Sequence, residues 1–245
     1  MPYRRLPNTD SSRLKALHSA LYMGKEHPPF KLAFSQKNYQ RVQNIIPAFE
    51  NAITFYRQTY STQVKKNPEY TKALKMGRLY ISHFIQVMNM GILRGDLKSN
   101  MRKYYGLESQ GNRIPPLNTE ADIIKWGKKM IDGEHERITK GGTPISNPTI
   151  AVVKVRYEKL KEVSQFQKSL KKKTSIAHEK IAELRPEADR IITDIWDEVE
   201  DSYKDLPDDL RREKAKKYGV VYVFRKNEIN NLNSPVFLVQ EIKNG

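Results

Sequence analysis

Apolar residues recur at three- and four-residue steps along most of the 245-residue chain, a spacing that gathers them on one face of a helix. Val42, Ile45, Ile46, Phe49, Ile53, Tyr56, Tyr60 and Val64 form one such stripe, and Leu74, Ile81, Phe84, Ile85, Met88 and Ile92 form the next. Helix starts are marked as clearly. Thr9 before Asp10, Ser35, Asn67 before Pro68, Thr119 with Asp122 three residues on, and Asn147 before Pro148 all suit an N-cap. Together these signals predict helices over 10–24, 36–66, 68–94, 119–139, 148–204 and 207–218. Pro47 should kink or divide the second. Gly77 and Gly91 on the third would let a neighbour come close.

The longest periodic run is 150–202, where Ala177, Ile181, Leu184, Ala188, Ile191, Ile195 and Val199 step like a heptad seam. A helix over 148–204 would be about 85 Å long, with a kink or break expected near Arg185 because Pro186 follows it. Two stretches leave the pattern. Gly95, Gly106, Gly111, Pro115 and Pro116 mark 95–118 as a connector with one short helix at 97–104. Val220–Phe224 and Val236–Val239 are β-branched and aromatic runs of strand length, which predict a hairpin packed on the helices. The expected fold is all-α, an elongated bundle of five or six helices with one very long kinked helix and a small C-terminal β-hairpin. Its expected parts are a bundle over 1–218 and the hairpin over 219–245.

Composition agrees with long, wet helices: 38% of residues are hydrophobic and 29% charged. The 13 Tyr, 8 Phe and 2 Trp are enough anchors for an ordered chain. With no cysteine there is no disulfide, thiolate nucleophile or Cys-ligated metal. The N-terminus shows charge without an apolar run behind it, and no window approaches 18 apolar residues. A soluble, cytoplasmic protein with no membrane partner is the expectation.

Familiar catalytic patterns are incomplete. Asp132-x-x-His135 occurs once, where a di-iron bundle needs two Glu-x-x-His pairs. His135-Glu136 and His178-Glu179 lack the second histidine of a zinc-protease helix, having Thr139 and Ala182 in its place. Gly106 to Gly111 has the outer spacing of a P-loop, but Asn112-Arg113 stands where Lys-Ser/Thr must meet the phosphates. The expected reading therefore has no catalytic residue, no metal and no cofactor. An enzyme assembled from distant residues would place its pocket near Tyr80, His83 and Trp126.

Charge changes the picture most. Residues 1–117 hold 19 Lys+Arg against 6 Asp+Glu, whereas 118–245 hold 25 against 22. Within the second half, 154–173 carry eight cations against two Glu, and 187–209 carry ten acids against two cations. The acidic run reads as a solvated helix face. Both runs fall on one predicted helix, so an antiparallel homodimer would pair unlike charges. Residues suited to an acidic partner or a phosphate backbone are Arg4, Arg5, Arg13, Lys15, Arg102, Lys103, Lys154, Arg156, Lys171, Lys172 and Lys173. Tyr104 and Tyr105, beside Arg102 and Lys103, would be able to stack on bases.

The segments Arg5–Asp10, Lys31–Ser35, Tyr80–Gln86, Asn118–Asp122 and Asn147–Tyr157 together resemble a family of uncharacterised, mostly helical proteins of Bacteroidetes bacteria. The resemblance covers most of the chain and implies a single bacterial, cytoplasmic unit, and it implies no active site. The functional expectation is a non-enzymatic helical scaffold or adaptor that meets an acidic protein partner through its basic N-terminal half. Sequence-independent nucleic-acid binding is the alternative.

Overall fold

The computed structural model describes residues 2–224. Among these, five α-helices follow one another: α1 (Asp10–Glu26), α2 (Gln36–Leu93), α3 (Glu120–Thr139), α4 (Ile150–Ser202) and α5 (Asp208–Lys217). Short 3-10 turns at Pro29–Lys31, Ser99–Tyr105 and Glu108–Gln110 punctuate the connections. Strand β1 (Tyr3–Arg4) pairs antiparallel with β2 (Tyr222–Val223), Tyr3 opposite Val223. The fold is all-α with a small antiparallel strand pair, as the hydrophobic pattern predicts. The strand expected at 220–224 thus pairs with the N-terminus, and the one expected at 236–239 lies outside the described residues.

The capping signals act as read at three starts. Thr9 and Ser12 form a reciprocal capping box on α1, and Thr119 and Asp122 form another on α3. The Ser35 hydroxyl accepts from the Asn38 amide at 3.3 Å. Two boundaries differ from expectation. Helix α4 begins at Ile150, with the Thr149 carbonyl accepting from the Val153 amide at 3.2 Å, rather than at 148. More important, the helices expected over 36–66 and 68–94 are one 58-residue helix that passes through Pro68.

The 53-residue α4 likewise runs through Pro186 without a break. The physical reason lies in where the prolines point. Pro47, Pro68 and Pro186 are all exposed, and so are the residues four before them, Gln43, Val64 and Ala182. Each proline deprives that earlier carbonyl of its amide donor. On an exposed face solvent takes the freed carbonyl, and the loss stays local.

The chain divides into two compact units: Met1–Arg57 with Ile176–Gly245, and Gln58–Ser175. Helices α2 and α4 each lend one end to each unit. In the first unit Leu17, Val42, Ile191, Ile195, Trp196 and Val199 are the centre of the core. In the second, Phe84, Ile85, Met88, Ile123, Met130 and Leu160 fill that place. Each such side chain contributes about 1.5–3 kcal/mol on burial. Gly77 lies beneath Leu160 and Gly91 beneath Leu97, the close approaches their positions imply.

The connector 95–118 is fastened to α3 by a buried ionic cluster. A side chain at Gly133 would collide with the Tyr104 carbonyl, so glycine there lets the 3-10 turn lie directly on the helix. Beside it the Tyr105 hydroxyl donates to Glu134 Oε2. Arg137 donates to both oxygens of the same carboxylate, Nε at 2.8 Å and Nη2 at 2.9 Å. The Ile145 amide donates to Glu134 Oε1 at 2.8 Å, and Arg137 Nη2 donates to the Thr143 carbonyl at 2.7 Å. Each carboxylate oxygen has two donors, which is what a charge with no solvent exposure requires. Burial, and next the bond to Glu134, pushes the Tyr105 phenol far up.

Candidate polyanion-binding surface

The two units divide the charge very unequally. Gln58–Ser175 holds 23 Lys+Arg against 10 Asp+Glu, whereas residues 1–57 with 176–245 hold 21 against 18. The excess is therefore a property of the second unit and not of the N-terminal half, because the first unit folds a basic N-terminal segment onto the acidic run of α4.

That folding is explicit in the contacts. Arg13 makes a two-pronged bond to Asp189, at 2.7 and 2.9 Å. Arg185 grips Asp10 the same way at 2.8 and 2.9 Å. Arg4 donates to Asp197 at 2.6 Å and to Glu200 at 3.0 Å, and Arg41 donates to Asp194 at 2.6 Å. Glu198 accepts from the Ser35 amide and hydroxyl and from Asn38. The bond from Arg185 holds the Asp10 carboxyl below its ordinary range. Five acids of the run 187–209 (Asp189, Asp194, Asp197, Glu198 and Glu200) thus meet the N-terminal segment, while Glu187, Asp201, Asp205 and Asp209 stay on an exposed face.

In the second unit most of the cations face outward, the buried Arg137 apart. Lys154, Lys161, Lys168 and Lys172 follow one line on α4, the first three seven residues apart, or about 10 Å along the axis. Lys161 rests near Glu158 at 3.3 Å and Lys168 near Glu120 at 2.7 Å. Lys154, Lys171 and Lys172 are exposed with no carboxylate partner among the described residues. On α2, Lys65, Lys72 and Lys75 are equally exposed and unpaired. Lys72 belongs to two adjoining hollows. One of about 230 Å³ is bounded also by Met76, Arg156, Lys159 and Glu69, and a wider one of about 430 Å³ includes Lys75. The one acid on these walls, Glu69, lies 3.5 Å from both Lys66 and Lys159.

Four aromatic residues of this unit carry cations of their own. Arg156 lies 5.2 Å over the Tyr80 ring, Lys129 lies 4.5 Å over Trp126, and Lys161 lies 5.3 Å over Tyr157. Tyr104 carries Lys103 at 5.4 Å and Lys140 at 5.0 Å. Tyr105 is buried on Glu134. Stacking on bases by Tyr104 and Tyr105 is therefore disfavoured, since one ring is flanked by two cations and the other is buried.

The nominated residues sort accordingly. Arg4 and Arg13 serve the internal pairing, and Arg102 clamps the connector through Asn89 and Asn112. Arg5 and Lys15 border a groove of the first unit. Lys103, Lys154, Arg156, Lys171, Lys172 and Lys173 are exposed in the second. Sequence reading missed Lys65, Lys72 and Lys75. The signal was present: all three lie off the apolar stripe of α2, with no acid other than Glu69 in that stretch.

Tyr80, His83 and Trp126 form no common pocket wall: His83 is exposed and the two rings carry the cations named above. Among the described residues no group of three His, Asp or Glu is placed to hold a metal ion, and no helix is long and apolar enough to cross a membrane. Comparison with protein-family models, with curated proteins and with solved structures finds no match.

Proposed function

We propose that this chain is a non-enzymatic helical binding protein whose Gln58–Ser175 unit docks on the phosphate backbone of nucleic acid without reading its bases. The observation that carries the reading is the charge of this unit, 23 cations against 10 acids, with 13 of the cations on α2 and α4. A row of lysines along a helix suits an extended polyanion, because affinity comes from releasing the counterions each phosphate had condensed. Anisotropy of labelled random-sequence DNA and RNA, titrated across a salt series, tests it. Binding that weakens steeply with salt and is indifferent to sequence is expected. No binding near physiological salt would overturn it.

A second reading, an adaptor for an acidic protein segment, is favoured by one observation. Val152, Val155 and Phe166 are 39%, 64% and 48% exposed on α4 among the lysines, and apolar anchors within a charged surround suit a protein interface. Polyglutamate displacing the nucleic acid at equal charge would favour that reading.

A further inference from the structure

The first unit carries a groove of about 580 Å³ whose charge is out of keeping with its surroundings. Its polar rim includes Arg5, Lys15 and Lys216, and no acid among the described residues lines it. All three side chains are exposed, and none has a carboxylate partner among the described residues. This is in contrast to Arg4, Arg13 and Arg41 of the same unit, each of which is held by an acid of α4. Chain direction explains the difference. Neighbouring residues of an extended segment point opposite ways. Arg4 is turned to Asp197 and Glu200, and Arg5 borders the groove while its amide donates to the Val221 carbonyl at 2.8 Å. The floor is apolar: Trp196 and Val220, buried at 1% and 3% exposure, lie beneath with Leu6 at the edge.

We infer that this groove is a binding site for a small amphiphilic anion, one carboxylate, sulfonate or phosphate group on an apolar body. The volume falls in the range of small-molecule sites, which combine an apolar lining with a few placed polar groups. Three cations without a counter-charge supply the head-group contacts, and the tryptophan floor supplies the desolvated surface that a bare inorganic ion would leave unused. The ligand is distinct from the polyanion of the basic unit in size and in its need for an apolar part.

Fluorescence titration of the full chain with 1-anilinonaphthalene-8-sulfonate, followed by displacement, tests the assignment. One saturable site per chain is expected, with the dye displaced by decanoate and not by decylamine or inorganic phosphate. The triple variant Arg5→Gln, Lys15→Gln, Lys216→Gln should weaken dye binding about tenfold or more, because all three head-group charges are gone. Val221→Glu, an acid placed on the half-exposed groove wall, should do the same while keeping the wild-type melting curve. The control Lys65→Gln, Lys72→Gln, Lys75→Gln, confined to the other unit, should leave dye binding unchanged. The inference is overturned if both groove variants bind like the wild type or if the control loses binding equally. It is also overturned if phosphate displaces the dye as well as decanoate does. Capture of phosphatidylglycerol vesicles without displacement by free decanoate would count against it in the same way.

Discussion

Arg137 and Glu134 are partners that neither can lose alone. Both are buried, and the pair also holds Tyr105, Thr143 and Ile145. Arg137→Ala should cost about 3–5 kcal/mol in urea unfolding, since it strands a carboxylate in the interior. The joint replacement Arg137→Met with Glu134→Leu should cost less than the sum of the two single changes, because it strands no charge, yet more than nothing, because Tyr105, Thr143 and Ile145 lose their partners. Asp10 offers a milder case with a pH signature. The Arg185 bond lowers its folded pKa, so its contribution is complete above the ordinary aspartate range. That contribution is lost as pH falls through the lowered folded value. Asp10→Asn should therefore flatten the fall in chemical stability between about pH 4 and pH 2, measured as urea midpoints across that window.

At the scale of elements, the prolines of α2 and α4 show where periodicity was a better guide than punctuation. Ile53, Tyr56, Tyr60 and Val64 continue toward Leu74 on the helical step, and the helix follows them through Asn67-Pro68. Asn67 looked like a cap, but its side chain accepts from Gln167 at 3.4 Å and its carbonyl accepts from the Thr71 hydroxyl at 3.1 Å. A local breaker yields when both it and the carbonyl it orphans face solvent, which a linear reading does not reveal. Pro68→Ala should restore the missing amide donor to Val64 and raise stability by about 1–2 kcal/mol, visible as a higher melting temperature with an unchanged circular dichroism spectrum. The helix ends near 10, 36 and 120 were legible because their caps are made by residues adjacent in sequence. The pairing of residue 3 with residue 223 was not, because strand pairing depends on a neighbour the local pattern cannot name.

On the scale of the whole molecule, the sequence displayed the charge and misplaced it. Counting along the chain set Arg4 and Arg13 in one basic half, while folding neutralises them against Asp197, Glu200 and Asp189. What remains is the excess of Gln58–Ser175, in which Lys65, Lys72 and Lys75 are unpaired. Replacing those three with Gln should lower the magnitude of the log–log salt slope on duplex DNA by about 0.9 per lysine that meets a phosphate. The same replacements in Arg4 and Arg13 should leave the slope unchanged and lower the melting temperature instead.

The strand pair joining the two ends of the first unit also bears on synthesis. Residues 58–175 are a continuous passage of the chain, whereas the unit around them needs residue 3 to meet residue 223. On the ribosome the passage 58–175 is complete while the other unit still lacks the second half of α4, α5 and β2, so the unit whose first residues are made earlier is finished later. Ribosome-stalled chains probed by brief proteolysis should show Gln58–Ser175 protected before Asp10–Glu26 is. The early segment, with its arginines waiting for α4, would spend that interval as the portion most in need of a chaperone's cover.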